Sequence, residues 1–259
     1  MNIPIRMIDL ATAISWILLI TLSVSAVYSV KDLALNLGKP QMETTSDGKI
    51  LFSLPIEITN KGYYNIDLFN ITTKVLDKNG STITEGSTLI PTIEKGESLA
   101  ILHNMTFDIS RLLQLSQTYL FNDTELNTLE FISMKLGQFI PVQVSGNLSI
   151  PWGAPLYNFK LGEPRYAQLN LTHMQVTVPI SFDNHALIDI AGEVQTSMYN
   201  VADQLVGQGP VEIEAAQQSH YDGSVMFCVA VQSATRTGWF ELNFHTRLFS
   251  YGPMVIPYG

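Results

Sequence analysis

The chain has 259 residues, 46% of them hydrophobic and 14% charged, with a net charge of −9. That balance excludes a nucleic-acid binder, which needs a basic face to displace counterions, and it excludes an intrinsically disordered chain. A single cysteine, Cys228, excludes an intramolecular disulfide framework and a zinc site built on thiolates, and its apolar surroundings in the sequence predict a small core residue.

Leu10 to Val30 is a run of 21 uncharged residues. As a helix it would span about 31 Å, enough to cross the hydrocarbon core of a bilayer. Residues 1–30 are therefore read as a transmembrane anchor that meets lipid through residues 10–30, with Tyr28 near its outer end. A cleaved signal peptide is the alternative, because Val24-Ser25-Ala26 is an acceptable cleavage site. Ahead of the run Arg6 is the only basic residue and Asp9 offsets it, so flanking charge sets orientation weakly. Either reading exports residues 31–259. Six of the fifteen asparagines, Asn70, Asn79, Asn104, Asn122, Asn147 and Asn170, begin Asn-X-Ser/Thr triplets, which predicts a glycoprotein at the cell membrane with most of the chain outside the cytoplasm. Two domains of more than 100 residues can fold there without disulfides.

A repeat follows. Leu37-Gly38-Lys39-Pro40 returns as Leu161-Gly162-Glu163-Pro164, an offset of 124. At the same offset Pro55-Ile56, Asn60 and Ile66 match Pro179-Ile180, Asn184 and Ile190, giving seven identities over the 30 positions 37–66. Ile50, Phe52, Leu54, Ile56 and Ile58 alternate with Leu51, Ser53, Pro55, Glu57 and Thr59, the period of a half-buried strand, in which the proline calls for an edge or a bulge. Lys78-Asn79-Gly80 predicts a tight hairpin turn. Further strands are expected over Ser98–Ile109, Leu129–Leu136, Gly223–Val231 and Phe240–Leu248. Arg111-Leu112-Leu113-Gln114-Leu115 and Tyr119-Leu120 carry the spacing of an amphipathic helix near 110–121, where the second copy has only a turn over Ser233–Gly238. The predicted fold is mainly β: two tandem immunoglobulin- or fibronectin-like antiparallel sandwiches, 31–153 and 154–259, the first with an extra helix. Trp152-Gly153-Ala154-Pro155 is a short join that predicts nearly end-to-end, semi-rigid domains.

Leu54-Pro55-Ile56-Glu57-Ile58-Thr59-Asn60, followed by Ile66, resembles the water-stress-and-hypersensitive-response domain of group 2 late-embryogenesis-abundant proteins, and Val178-Pro179-Ile180-Ser181-Phe182-Asp183-Asn184 resembles it too. The resemblance implies a membrane-anchored sandwich with a binding or protective role, and no catalytic residues. The family usually has Asn-Pro at this point, whereas this chain has Asn60-Lys61 and Asn184-His185.

Chemistry-bearing motifs are sparse. His103, His173, His185, His220 and His245 lack metal-ligand spacing, and His220-Tyr221-Asp222-Gly223 reads as a polar turn before a buried strand. Asp77-Lys78-Asn79-Gly80 departs from the calcium-loop pattern. No catalytic residue, metal or cofactor is predicted. The leading expectation is a non-enzymatic, membrane-anchored scaffold or binding protein with a protein partner at the cell surface. A structural subunit of a surface filament and a hydrolase whose residues meet only in space are the alternatives. The final 89 residues lack sequons and hold Trp239, Phe240, Phe249, Tyr251 and Tyr258, which makes them the expected partner-binding face.

Overall fold

The computed structural model describes residues 3–77 and 79–259, with side chains from Thr12 onward except Ala13. Helix α1 (Ile3–Lys31) is one helix long and apolar enough to cross a membrane. Trp16, Ile17, Leu18, Leu19 and Ile20 are all exposed along it, so no protein core accounts for their apolar character. The flanking charges at Arg6 and Asp9 lie outside the described side chains. The last turns of α1 dock on the body of the protein. The Tyr63 amide donates to Ser29 Oγ at 2.8 Å, Ser25 Oγ lies 2.6 Å from the Tyr64 hydroxyl, and Ala26 and Val30 pack on a buried cluster.

Past α1 the chain is mainly β, in antiparallel sheets that form two sandwiches with one topology. The first comprises β1 (Leu33–Leu37), β2 (Gln41–Thr44), β3 (Ile50–Asn60), β4 (Ile66–Leu76), β5 (Thr82–Ile93), β6 (Ser98–Phe107), β7 (Thr124–Leu136) and β8 (Ile140–Trp152). The second comprises β9 (Tyr157–Leu161), β10 (Arg165–Gln168), β11 (His173–Asn184), β12 (Ile190–Asn200), β13 (Leu205–Ala215), β14 (Ser219–Ala230), β15 (Gly238–Thr246) and β16 (Ser250–Tyr258). In each, the third strand of the copy pairs on one side with its first two short strands and on the other with its sixth. The facing sheets run β5-β4-β7-β8 and β13-β12-β15-β16. The duplication expected from the 124-residue offset therefore holds strand for strand.

The shared motif has a physical basis. Of the edge or bulge expected of them, Pro55 and Pro179 take no sheet edge: they lie in central strands, at the break in pairing between the two short strands. Their missing amide hydrogens face the bend between the two short strands, where Gly38 and Gly162 donate to the carbonyls of Pro55 and Pro179, both at 2.8 Å. A Cβ on Gly38 would stand 2.9 Å from the Pro55 Cβ, and one on Gly162 3.1 Å from the Pro179 Cβ, so the Leu-Gly-X-Pro bend needs glycine to approach the ring. Asn60 and Asn184 close the strands. Each is fully buried, gives its amide to three backbone carbonyls, and accepts from the amide two residues on.

Three local expectations change. The helix expected near 110–121 is two short helices, α2 (Ile109–Leu115), capped by the Asp108 carboxylate, and α3 (Thr118–Phe121), because Ser116 turns to extended backbone between them. His220, Tyr221, Asp222 and Gly223 lie within β14, paired with Asp183, Phe182, Ser181 and Ile180, and not in a turn. Cys228 shares that strand but is exposed: Val225, Phe227 and Val229 take the inner face, so the intervening residue must point outward. At the β4–β5 hairpin the Asp77 carboxylate accepts from the Asn79 and Ser81 amides, while Lys78 lies outside the described residues.

The join at residues 152–155 is packed. The buried Trp152 donates its indole N–H to the Tyr119 carbonyl at 2.9 Å, the Leu156 amide reaches the Leu120 carbonyl at 2.8 Å, and the His185 amide reaches the Ala154 carbonyl at 3.0 Å. A continuous buried cluster runs from Phe52 and Phe107 through Leu120, Trp152 and Leu156 to Phe182 and Phe244. The half of the first sandwich nearest α1 has its own cluster, built on Ile58, Ile66, Phe69, Ile93 and Leu136.

Candidate functional site

Between those two clusters the first sandwich is open. Its sheets close along β5 and β6, where Thr84 Oγ donates to the Thr106 carbonyl at 2.7 Å. On the opposite side β8 stands away from β1, leaving a cleft of about 460 Å³. Phe52, Leu54 and Ile56 of β3, Ile71 of β4, Met105 of β6 and Ile132 of β7 form its apolar walls. Leu37, Val144 and Leu148, each at least half exposed, form its rim. A cleft of this size, mostly apolar with a few convergent polar groups, has the character of a small-molecule site.

The polar groups form a line. Thr88 Oγ lies 2.8 Å from His103 Nδ1, His103 Nε2 lies 2.9 Å from Thr73 Oγ, and Thr73 donates its hydroxyl to Glu130 Oε2. A carboxylate only accepts, so the direction is fixed along the whole line: Thr88 donates to Nδ1, Nε2–H donates to Thr73, and Thr73 donates to Glu130. His103 and Thr73 are buried, and burial pushes the His103 imidazole below its ordinary value, which keeps it neutral. With Nε2 carrying the proton, His103 supports Thr73 as a hydrogen-bond donor and does not draw off its proton as a general base would.

The second copy shows what the first has exchanged. A bulge at Leu68, in left-handed conformation (φ 50°), shifts the local offset to 123, so that Thr73 corresponds to Thr196. Glu130 faces Thr73 across the sheet, and Leu242 faces Thr196. His103 faces Leu54, where Val225 faces Val178. Ile132 of β7 stands where β15 has Phe244, and Gly146, opposite Glu130, stands where β16 has Met254 opposite Leu242. The second interior is thus filled by larger apolar side chains, and Thr196 Oγ is left buried without a hydrogen-bond partner. Nothing lies within 4 Å of where a Gly146 Cβ would stand. The cleft is therefore a local departure of the first copy from a fold whose second copy is closed.

The residues expected to bind a partner are placed elsewhere. Phe240, Phe249 and Tyr258 are buried, with Phe240 against Tyr258 and the Tyr258 hydroxyl donating to the Tyr199 carbonyl at 3.0 Å. Tyr251 packs on Phe121 and donates to Gln117, which makes it part of the contact between the sandwiches. Trp239 is half-buried and stacks on Tyr199. Phe240, Phe249 and Tyr258 thus belong to the interior and Tyr251 packs on it, whereas Trp239 lies on the outer face of β15 with Glu241 and Asn243. Asn79, Asn104, Asn122, Asn147 and Asn170 are exposed, whereas Asn70 is half-buried in a side-chain network with Thr72 and Ser87. His103, scattered among five histidines in the sequence, had no local signal. Only its position opposite Leu54 brings it to Thr73.

A second titratable group lies on the distal sandwich. His220 sits between Asp183, at 2.6 Å, and Asp222, at 3.0 Å. The hydrogen bond that His220 donates to the Asp183 carboxylate raises the His220 pKa above its ordinary 6.5, while the same contact lowers that of Asp183. A raised histidine pKa contributes stability that is fully present below the unfolded value and fades as pH climbs through the folded one. Because the pair is exposed, the contribution is small and salt-sensitive. In an NMR titration the His220 ring should give a midpoint above 6.5 that falls on Asp183→Asn. An unchanged midpoint would contradict the assignment. Among the described residues no group of three or more His, Cys, Asp or Glu could hold a metal ion.

No protein-family model matches the chain, and no curated protein matches it. Among solved structures, the ApaA protein from Bordetella pertussis is similar at 14% identity over 48% of this chain and 94% of its own, with a TM-score of 0.31. Red sea bream transglutaminase is similar at 12% identity over 84% of this chain and 29% of its own, with a TM-score of 0.32. Neither likeness bears on function.

Proposed function

We propose that this is a non-enzymatic, single-pass membrane protein whose two sandwiches lie outside the cytoplasm, and that the first sandwich binds an apolar chain in its cleft. The observation that carries the proposal is the cleft itself, an open apolar interior in one copy of a fold that is filled in the other. The exposed apolar surface of α1 and the six sequons support the setting. The contacts that Ser25 and Ser29 make with Tyr64 and Tyr63 favour an anchor kept in the mature chain. At the same end of the sandwich Phe139 is 87% exposed and Tyr63 61% exposed, and the Lys95 ammonium lies over the Tyr63 ring. Aromatic and lysine side chains grouped at the exit of an apolar helix suit the headgroup layer.

The test fills the cleft. Gly146→Met and Ile132→Phe place in the first copy the side chains that the second copy carries at the facing positions, Met254 and Phe244. The full-length protein in phosphatidylcholine nanodiscs should cross-link a photoactivatable sixteen-carbon chain to β8. Each filled variant should lose about nine-tenths of that cross-linking while unfolding at an unchanged or higher temperature, since a strand glycine is itself destabilising. Cross-linking retained in both variants would refute binding in the cleft.

A further inference from the structure

The head of the ligand can be read from the floor of the cleft, an inference that rests on the cleft being a binding site. We infer that the occupant is a single-chain amphiphile drawn from the membrane whose head donates hydrogen bonds and carries no negative charge, such as a long-chain alcohol or amine. Glu130 sits on the cleft wall with one oxygen, Oε2, taken by Thr73. Its other oxygen takes no hydrogen bond from the described residues and is not sealed from solvent. Gly146, the residue directly across from Glu130, contributes no side chain to cover it. An accepting oxygen is therefore left without a partner on a residue that lines an apolar cleft.

The surroundings do not neutralise that charge. No salt bridge reaches Glu130 among the described residues, and Lys74, which follows Thr73 on β4, pairs with Glu85. His103 is neutral and its protonated nitrogen is already committed to Thr73. Thr128, also on the wall, gives its hydroxyl to the Leu148 carbonyl. Ser145, exposed on β8, keeps a neutral hydroxyl at the cleft's edge, so the one charged group the lining offers a ligand is the acceptor Glu130. A hydroxyl or ammonium head satisfies Glu130, and a carboxylate or phosphate head meets it as a like charge in a site of reduced dielectric. The volume suits one chain: at about 30 Å³ for each methylene-sized unit, 460 Å³ holds about fifteen. The bilayer is the source because β1, which bears the rim residues Leu35 and Leu37, follows α1 after a single residue, Asp32.

Three photoactivatable sixteen-carbon probes, an alcohol, an amine and a carboxylic acid, separate the possibilities in the full-length protein held in phosphatidylcholine nanodiscs at pH 7.5. The alcohol and the amine should label residues 144–150 at concentrations at least about tenfold lower than the acid requires. Glu130→Gln keeps an acceptor for Thr73 but removes the charge, so it should bring the acid within about threefold of the alcohol. An acid that labels as well as the alcohol in the unaltered protein, or a Glu130→Gln variant that leaves the ratio unchanged, would overturn the assignment of the head while leaving the cleft a binding site. Failure of all three probes to label β8 would overturn both.

Discussion

Asn184→Ala is expected to destabilise the protein by about 4 kcal/mol, since each hydrogen bond is worth about 1 kcal/mol net and an orphaned buried partner costs about 1–3 kcal/mol more. The Asn184 amide donates to the carbonyls of Ile188, Ala215 and Ala216, and its oxygen accepts from the Ala186 amide. Alanine leaves four backbone groups without this partner, three of them in buried contacts. Asn184→Asp retains the acceptor but presents an oxygen to three carbonyls, so it should be nearly as damaging. The effect should recur in the first copy, where Asn60 makes the same contacts with Tyr64, Ile93, Glu94 and Gly62. Thermal unfolding should fall by about 10 °C for either alanine variant, given about 2–4 °C per kcal/mol at this size. A change of only a degree or two would mean that these asparagines are not the pins of the two sandwiches.

The second large effect lies at the join. A Cβ on Gly153 would stand 1.9 Å from the His185 carbonyl oxygen and 2.5 Å from its carbon, both backbone atoms. Gly153→Ala therefore forces the two chain segments apart and breaks the hydrogen bond between the His185 amide and the Ala154 carbonyl. The buried cluster that spans the join, with Trp152 and Leu156 at its centre, should open with them. Calorimetry of the unaltered protein should show one unfolding transition for the coupled sandwiches. Gly153→Ala should split it in two, the earlier one lowered by several degrees. A single unshifted transition would show that the sandwiches are not coupled through this contact.

Much of the architecture was legible along the chain because it follows from local rules. The apolar run in α1 is long enough to be a membrane span whatever it touches, and the period-2 pattern of β3 and β11 dictates strands that bury one face. The Leu-Gly-X-Pro and Asn repeats marked the duplication because glycine and asparagine answer to backbone geometry that any copy of the fold must reproduce. Parity along a strand is less visible than its apolar content, which is why Cys228 reads as core and is exposed.

The candidate site belongs to the other class. His103, Thr73 and Glu130 lie on three strands, and no spacing between them signals a site. They meet because β3 pairs with β6, β4 pairs with β7, and the two sheets then face each other. The cleft depends on differences in side-chain size between positions matched only through the fold, Ile132 against Phe244 and Gly146 against Met254. Likewise Phe240, Phe249 and Tyr258 carry the same chemistry whether they face a partner or a core, and the closing of β15 on β16 decides for the core. Local sequence sets which face of a strand is apolar, but whether that face is filled is settled by residues far along the chain that only packing brings opposite.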